Sequence, residues 1–230
     1  EPNVRNEIDT INDIIANKKS IIRFGDGELK LVRDETCSLD LGFAKNSNRM
    51  RNTLMEILNS DDEVYIAILN IYKGNIHKLR YIEDRNDKDW YLSFLERHYE
   101  CLKYYKPNKQ YYSAFIFRPQ FPIGLLKEEY INLLKKIWEN KKICIINNQE
   151  SIKYESIFNN VASCNFIKCK EKYALDDDEL IMKQSLQLDK DVLFIIMAGP
   201  AAKIWCWELT KKGYQCIDCG NIKTWCKEFN

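Results

Sequence analysis

The chain has 230 residues, 45% of them hydrophobic and 30% charged, and its acids and bases nearly cancel to a formal charge of +1. That length supports a sizeable core, read here as one domain over residues 1–230, while the charge balance argues against a nucleic-acid partner, which needs a concentrated basic face. No window reaches the ~18 uninterrupted apolar residues of a membrane span, and the opening EPNVRNEIDT lacks the layout of a secretory signal, so a cytoplasmic protein with no membrane span is expected.

In chain order, Ile8, Ile11 and Ile15 recur at helical spacing and predict an amphipathic helix over Val4 to Asn17. A short strand, Ser20 to Phe24, follows, then a helix over Arg49 to Leu58 with Met50, Leu54 and Leu58 on one face. The β-forming run EVYIAIL (Glu63 to Leu69) predicts a buried strand, and Lys88 to Tyr105 an aromatic-rich helix. YYSAFIF (Tyr111 to Phe117) predicts a strand stopped at Arg118-Pro119, and Glu128 to Glu139 a helix. Strands are expected at Lys142 to Asn147, Cys164 to Cys169, Asp191 to Ala198 and Tyr214 to Asp218. Helices are expected at Asp178 to Leu188 and Pro200 to Lys212, the latter closed by Gly213. Repeated strand–helix–strand order with continuously apolar strands implies a Rossmann-like α/β fold, a largely parallel sheet with helices on both faces.

Nine cysteines scattered through apolar segments read as reduced core thiols. Cys216 and Cys219, with Cys226 beyond, are the pair to test as a zinc site. The segment reads as a strand, however, and residues three apart on a strand face opposite sides.

Two turns carry candidate chemistry. After the strand ending at Ala198, Gly199 allows a tight exit and Pro200 suits a first helical position. The free amides of that turn attract an anion such as a phosphate, although many such units bind nothing. No G-x-G-x-x-G or Walker sequence is present. Earlier, RFGDGE (Arg23 to Glu28) ends a strand in two carboxylates. In extended backbone Asp26 and Glu28 would point the same way, and Gly25 and Gly27 would let a ligand approach the backbone. Such a pair suits a hard cation, Mg²⁺ or Mn²⁺, with Arg23 beside it for a phosphate. The alternative is a polar turn followed by a helix with an acidic first turn.

RFGDGE resembles the signature of the bacterial glycosyltransferase family with the GT-D fold, formerly the domain of unknown function DUF1792. Its acidic D-x-E motif matches Asp26-Gly27-Glu28. FIFRP (Phe115 to Pro119), KKIWENKKICIIN (Lys135 to Asn147) and IIMAGPAAKIWCWELTKKGYQCIDCGNI (Ile195 to Ile222) resemble further family stretches in the same order. The resemblance implies a metal-dependent glycosyltransferase that moves a sugar from a nucleotide-sugar donor, a UDP-sugar, to a glycan, glycolipid or glycoprotein acceptor. A homodimer or membership of a larger assembly is open as a partner state. By this resemblance Asp26 and Glu28 hold Mn²⁺ or Mg²⁺ and Arg23 assists catalysis. Gly25, Gly27, Arg118, Gly199, Pro200, Ala201 and Asn221 line the donor site. Asp218 and Glu228 are the nearest carboxylates for an acceptor base. Ala201 and Asn221 stand where the family has threonine and histidine, which motivates the alternative of a degenerate domain that binds nucleotide or glycan without turnover.

The remaining features read as structural. Asp176-Asp177-Asp178-Glu179 sits where a helix begins and is expected to cap it rather than bind a second metal. Trp90, Tyr91, Phe94, Tyr99, Tyr104 and Tyr105 are expected in the core rather than stacking a sugar or base. One of Trp205 and Trp207 is expected buried and the other partly exposed, and His77 and His98 are read as surface or satisfied core.

Overall fold

The computed structural model describes residues 1–72, 85–118 and 126–222. Eight strands form one sheet: β1 (Asn3–Val4), β2 (Ile21–Arg23), β3 (Tyr65–Ile68), β4 (Gln110–Ser113), β5 (Lys142–Asn147), β6 (Ser163–Lys168), β7 (Leu193–Ile196) and β8 (Gln215–Asp218). Their order is β1-β4-β3-β2-β8-β7-β5-β6, and every neighbouring pair is parallel. All four residues of β3 and all four of β7 are buried. Alternate side chains of a strand point to opposite faces, so both faces of the sheet centre are covered. This is the α/β fold that the apolar strands imply.

Among the described residues the helices between the strands are α1 (Glu7–Asn17), α2 (Asp26–Arg33), α3 (Asn48–Asn59), α4 (Arg85–His98), α5 (Lys127–Lys135), α6 (Asp178–Ser185) and α7 (Ala201–Lys211). The first starts later than its apolar spacing suggests. Asn6 accepts a hydrogen bond from the Asp9 amide and caps it, which frees Asn3 and Val4 to pair with β4. β4 is shorter than expected, because Ala114 to Phe117 leave the ladder in a turn where the Arg118 amide bonds the Phe115 carbonyl. The aromatic helix ends at His98 and continues as a 3₁₀ turn to Tyr104.

Trp205 and Trp207 are both buried, correcting the expectation that one would be exposed. Eight of the eleven residues of α7 are buried, so its whole circumference is enclosed. Of the aromatic cluster, Phe94 and Tyr105 join the core whereas Tyr99 is exposed; the side chains of Trp90 and Tyr91 lie outside the described residues. Cys216 and Cys219 are buried thiols, and no cluster of three metal-ligating side chains occurs among the described residues. Cys226 and His77 fall outside them. The Asp176–Glu179 run stands at the start of α6, but no side chain caps it by a hydrogen bond, which corrects the capping expectation. Asp177 takes the Lys170 amide, and Asp178 takes the Trp205 indole and the Arg49 guanidinium. Among the described residues, no helix is long and apolar enough to cross a membrane.

Candidate active site

A cleft of about 560 Å³ opens at the carboxyl ends of the strands, where open α/β sheets bind ligands. Arg23 to Asp26 line it after β2, Leu69 after β3, Ala114 and Arg118 after β4, Asn147 to Gln149 at β5, Met197 and Gly199 after β7, and Gly220 and Asn221 after β8. The early acidic turn and the late glycine–proline turn therefore share one pocket.

The acidic turn is not extended. Asp26 is the first residue of α2 and Glu28 lies in its first turn, so the two carboxylates diverge around the helix. The helix wins because the Glu28 carboxylate folds back onto the Gly25 amide at 2.9 Å, completing a capping interaction that an extended backbone would forgo. Both carboxylates still line the cleft. Gly27 does not: a Cβ there would point at Leu41 and Phe43, 3.7 and 3.8 Å away.

A buried charge network forms the floor. Lys203 Nζ lies 3.0 Å from Glu28 and 3.1 Å from Asp218. Burial alone would push the Lys203 pKa down; the carboxylates of Asp218 and Glu28 outweigh it and hold it above its ordinary value. Asp218 is fully buried and also accepts from the amides of Arg23 and Gly220. It has no route to an acceptor, which removes it as a candidate base; Glu228 lies outside the described residues. The Arg23 side chain donates to the Ala114 carbonyl at 2.8 Å and lies across Gly220. Gly220 has φ +57, and a Cβ there would fall 2.0 Å from Arg23 Nη1.

The late turn differs from expectation. Pro200 is helical in backbone, and the amides of Ala202 and Lys203 bond the carbonyls of Gly199 and Pro200. Those donors are engaged within the turn and are not free for an anion. Pro200 is buried outside the cleft lining, and Ala201 lines a smaller neighbouring cavity. Positive charge in the cleft comes from the side chains of Arg23, Arg118 and Lys203 instead.

Asp26 has a partner that sequence reading missed. His98, at the end of α4, places Nε2 2.7 Å from Asp26 Oδ1, and Lys30 sits 2.6 Å from Oδ2. Burial raises the Asp26 pKa, but the bonds from His98 and Lys30 prevail and hold it below the ordinary range. Burial pushes His98 down, so the pair at neutral pH is a carboxylate and a neutral imidazole. Seventy-two residues separate the two, and no local spacing signals the contact. Asn147 was also missed. Its side chain donates to the Met197 carbonyl and accepts from the Gln149 amide, tying the ends of β5 and β7 together at the cleft wall. Glu171 enters the lining too and has no ion pair among the described residues.

The four oxygens of Asp26 and Glu28 each already meet a protein partner and the two carboxylates diverge, so a hard cation held here would take most of its ligands from a substrate. Asp26 and Glu28 accept protein hydrogen bonds but keep lone pairs, since a carboxylate offers about four acceptor positions.

An all-parallel sheet with a cleft at the carboxyl ends of its strands is the form of a ligand-binding α/β domain. Residues 21–229 match the family described as Glycosyltransferase GT-D fold, and the chain belongs to that family. It is 26% identical over 220 residues to a "Probable glycosyl transferase Gly" of Streptococcus gordonii, covering 94% of this chain and 31% of that protein. It is 22% identical over 224 residues to "Glycosyltransferase GlyD" of Streptococcus pneumoniae serotype 4, covering 93% of this chain and 26% of that protein. The chain thus spans less than a third of either curated relative. A solved structure described as "A New Glycosyltransferase (DUF1792) from Streptococcus sanguinis" superposes with TM-score 0.85 at 23% identity, over 99% of this chain and 85% of that one. Another, "The highly conserved domain of unknown function 1792 has a distinct glycosyltransferase fold", gives 0.85 at 25% identity, over 99% and 82%.

Proposed function

We propose that this domain is a glycosyltransferase that uses a nucleotide-sugar donor, by resemblance a UDP-sugar, with a divalent cation and a glycan or glycoprotein acceptor. What supports the reading is the convergence of Asp26, Glu28, Arg23, Arg118 and Lys203 on one cleft at the strand ends. A nucleoside diphosphate carries clustered negative charge, and its departure concentrates more on the leaving phosphate.

Asp26 and Glu28 would hold the cation, Mn²⁺ or Mg²⁺, which when bound supplies Lewis-acid stabilisation of the diphosphate. The chain's own residues account for the rest. Arg23 and Arg118 offer fixed guanidinium donors to phosphate oxygens. Lys203 holds Glu28 in place from below, and His98 orients Asp26. In the transfer, an acceptor hydroxyl oxygen bonds to the anomeric carbon while the bond to the β-phosphate oxygen breaks, its electron pair leaving with UDP. The hydroxyl proton passes to a carboxylate or to water, and Glu171 is available in the lining to receive it.

The test is nucleotide release from a panel of nucleotide sugars with Mn²⁺. UDP release that falls roughly 100-fold or more in Asp26→Ala and Glu28→Ala supports the enzyme. Tight donor binding without release, even with acceptor lysate, gives the non-catalytic binder instead. Cleavage of simple phosphoesters without an acceptor gives a hydrolase.

A further inference from the structure

A second cavity of about 270 Å³ lies beside the cleft, and Phe43 lines both. The chain after β7 divides them: Met197 and Gly199 face the cleft, whereas Ala198 and Ala201 face the smaller cavity. The segment after β6 divides them again, with Glu171 on the cleft side and Tyr173 on the other. Phe43 stands where the two meet. A Cβ on Gly27 would lie 3.8 Å from its ring and one on Gly199 3.9 Å, so the ring covers both turns. Yet 47% of this large apolar residue is exposed.

The presentation of that ring is built. Gly42 takes φ +79, with its amide on the Asp40 carboxylate at 2.7 Å. The Phe43 carbonyl accepts from the Tyr173 amide at 2.7 Å. Tyr173 itself has φ +53, an uncommon backbone for a bulky residue, held while its hydroxyl reaches Asp40. An exposed aromatic face held rigidly at a cleft is a platform for the C–H face of a pyranose. Polar groups ring the same cavity. Ser47 Oγ accepts from the Met50 amide and keeps its proton to donate, and Arg49 uses one guanidinium nitrogen on Asp178 and keeps others.

We propose that this cavity is the acceptor subsite, taking one sugar ring of the acceptor glycan with its face on Phe43. The assignment rests on the transferase reading, because transfer requires the acceptor hydroxyl within about 3–3.5 Å of the donor's reacting carbon, and an acceptor seated here would reach the cleft across the exposed ring of Phe43.

The experiment is saturation-transfer NMR of the intact chain with methyl β-glycosides of common hexoses and N-acetylhexosamines, with and without saturating UDP. The expected result is transfer to ring C–H protons of at least one glycoside. It survives UDP and drops roughly fivefold or more both in Leu175→Trp, which fills the cavity, and in Phe43→Ala, which removes an exposed ring. Displacement by UDP, persistence in both variants, or silence across the panel overturns the proposal. Glycoside binding in this cavity by a chain that releases no UDP would keep the subsite and reject the transferase.

Discussion

His98 Nε2 meets Asp26 Oδ1 at 2.7 Å, joining the last residue of α4 to the first residue of α2. The imidazole is buried and its Nδ1 has no hydrogen-bond partner among the described residues. A ring left half satisfied in the interior is costly, and here it fixes the carboxylate at the head of the acidic motif.

His98→Ala is therefore expected to lower kcat about 10–100-fold, the range for partners that orient a metal-binding group. His98→Gln, which keeps a donor, should recover part of it. The pH behaviour has a definite sign. Burial holds His98 below its ordinary pKa of 6.5, with Arg33 and Arg97 adding to the shift and Asp26 opposing it. Below that value the unfolded chain takes up the proton more readily than the folded one, so stability should decline as pH falls through the histidine range. Urea midpoints from pH 7.5 to 5 check this, and the decline should flatten in His98→Gln.

Lys203 is the only cation paired with Glu28 and Asp218 among the described residues. Lys203→Met should cost roughly 3–5 kcal/mol, because it leaves buried carboxylates without a counter-charge. The double variant Lys203→Met with Asp218→Asn should be more stable than the single one. Chemical denaturation of both reads the coupling directly; equal stability would mean the charges are compensated elsewhere.

Gly220→Ala should impair the site in two ways. Its φ of +57 costs a substituted residue about 1–2 kcal/mol, and the new Cβ would displace the Arg23 guanidinium. The expected signature is a lowered melting temperature together with weaker UDP binding by calorimetry. The exposed Lys212–Gly213 turn offers a control: Gly213, at φ +88, has nothing within 4 Å of its would-be Cβ, so Gly213→Ala should show the backbone cost alone.

Most of the sheet could be read from the chain because its strands are short apolar runs bounded by turn residues. Lys142 to Asn147 has the expected limits; the other expected strands lose one to several terminal residues, and β4 and β6 also begin one residue earlier than expected. Strand order was not legible, since parallel neighbours such as β2 and β8 are almost two hundred residues apart. The site was legible where its signal is local: Arg23, Asp26, Glu28, Gly199 and Asn221 do line one cleft. Of the two backbones the acidic pair allowed, the extended one is not adopted: Asp26 and Glu28 sit in the first turn of a helix, the alternative reading. The site was invisible where tertiary packing creates the contact, as at His98, Lys203 and Phe43. A lysine three residues into a helix and a phenylalanine in a loop carry no pattern that announces a pocket.

The loop bearing Phe43 depends on Asp34, the residue that follows α2. Thr36 Oγ1 donates to one carboxylate oxygen at 2.7 Å, while Asn46 Nδ2 and the Leu39 amide donate to the other at 2.9 and 2.7 Å. These bonds, led by that from Thr36, lower the Asp34 pKa to about 2. A carboxylate favoured in the folded state contributes stability above its ordinary value of 3.8 and loses it as pH falls towards 2. Carbon-detected NMR of the Asp34 carboxyl should show a midpoint near 2. Over the same pH interval the amides of Leu39 and Asn46, which close the loop, should lose protection from exchange. Asp34→Ala should expose those two amides already at neutral pH while leaving the β7 amides protected. A midpoint close to 3.8 would mean that the bonds do not hold the loop in solution.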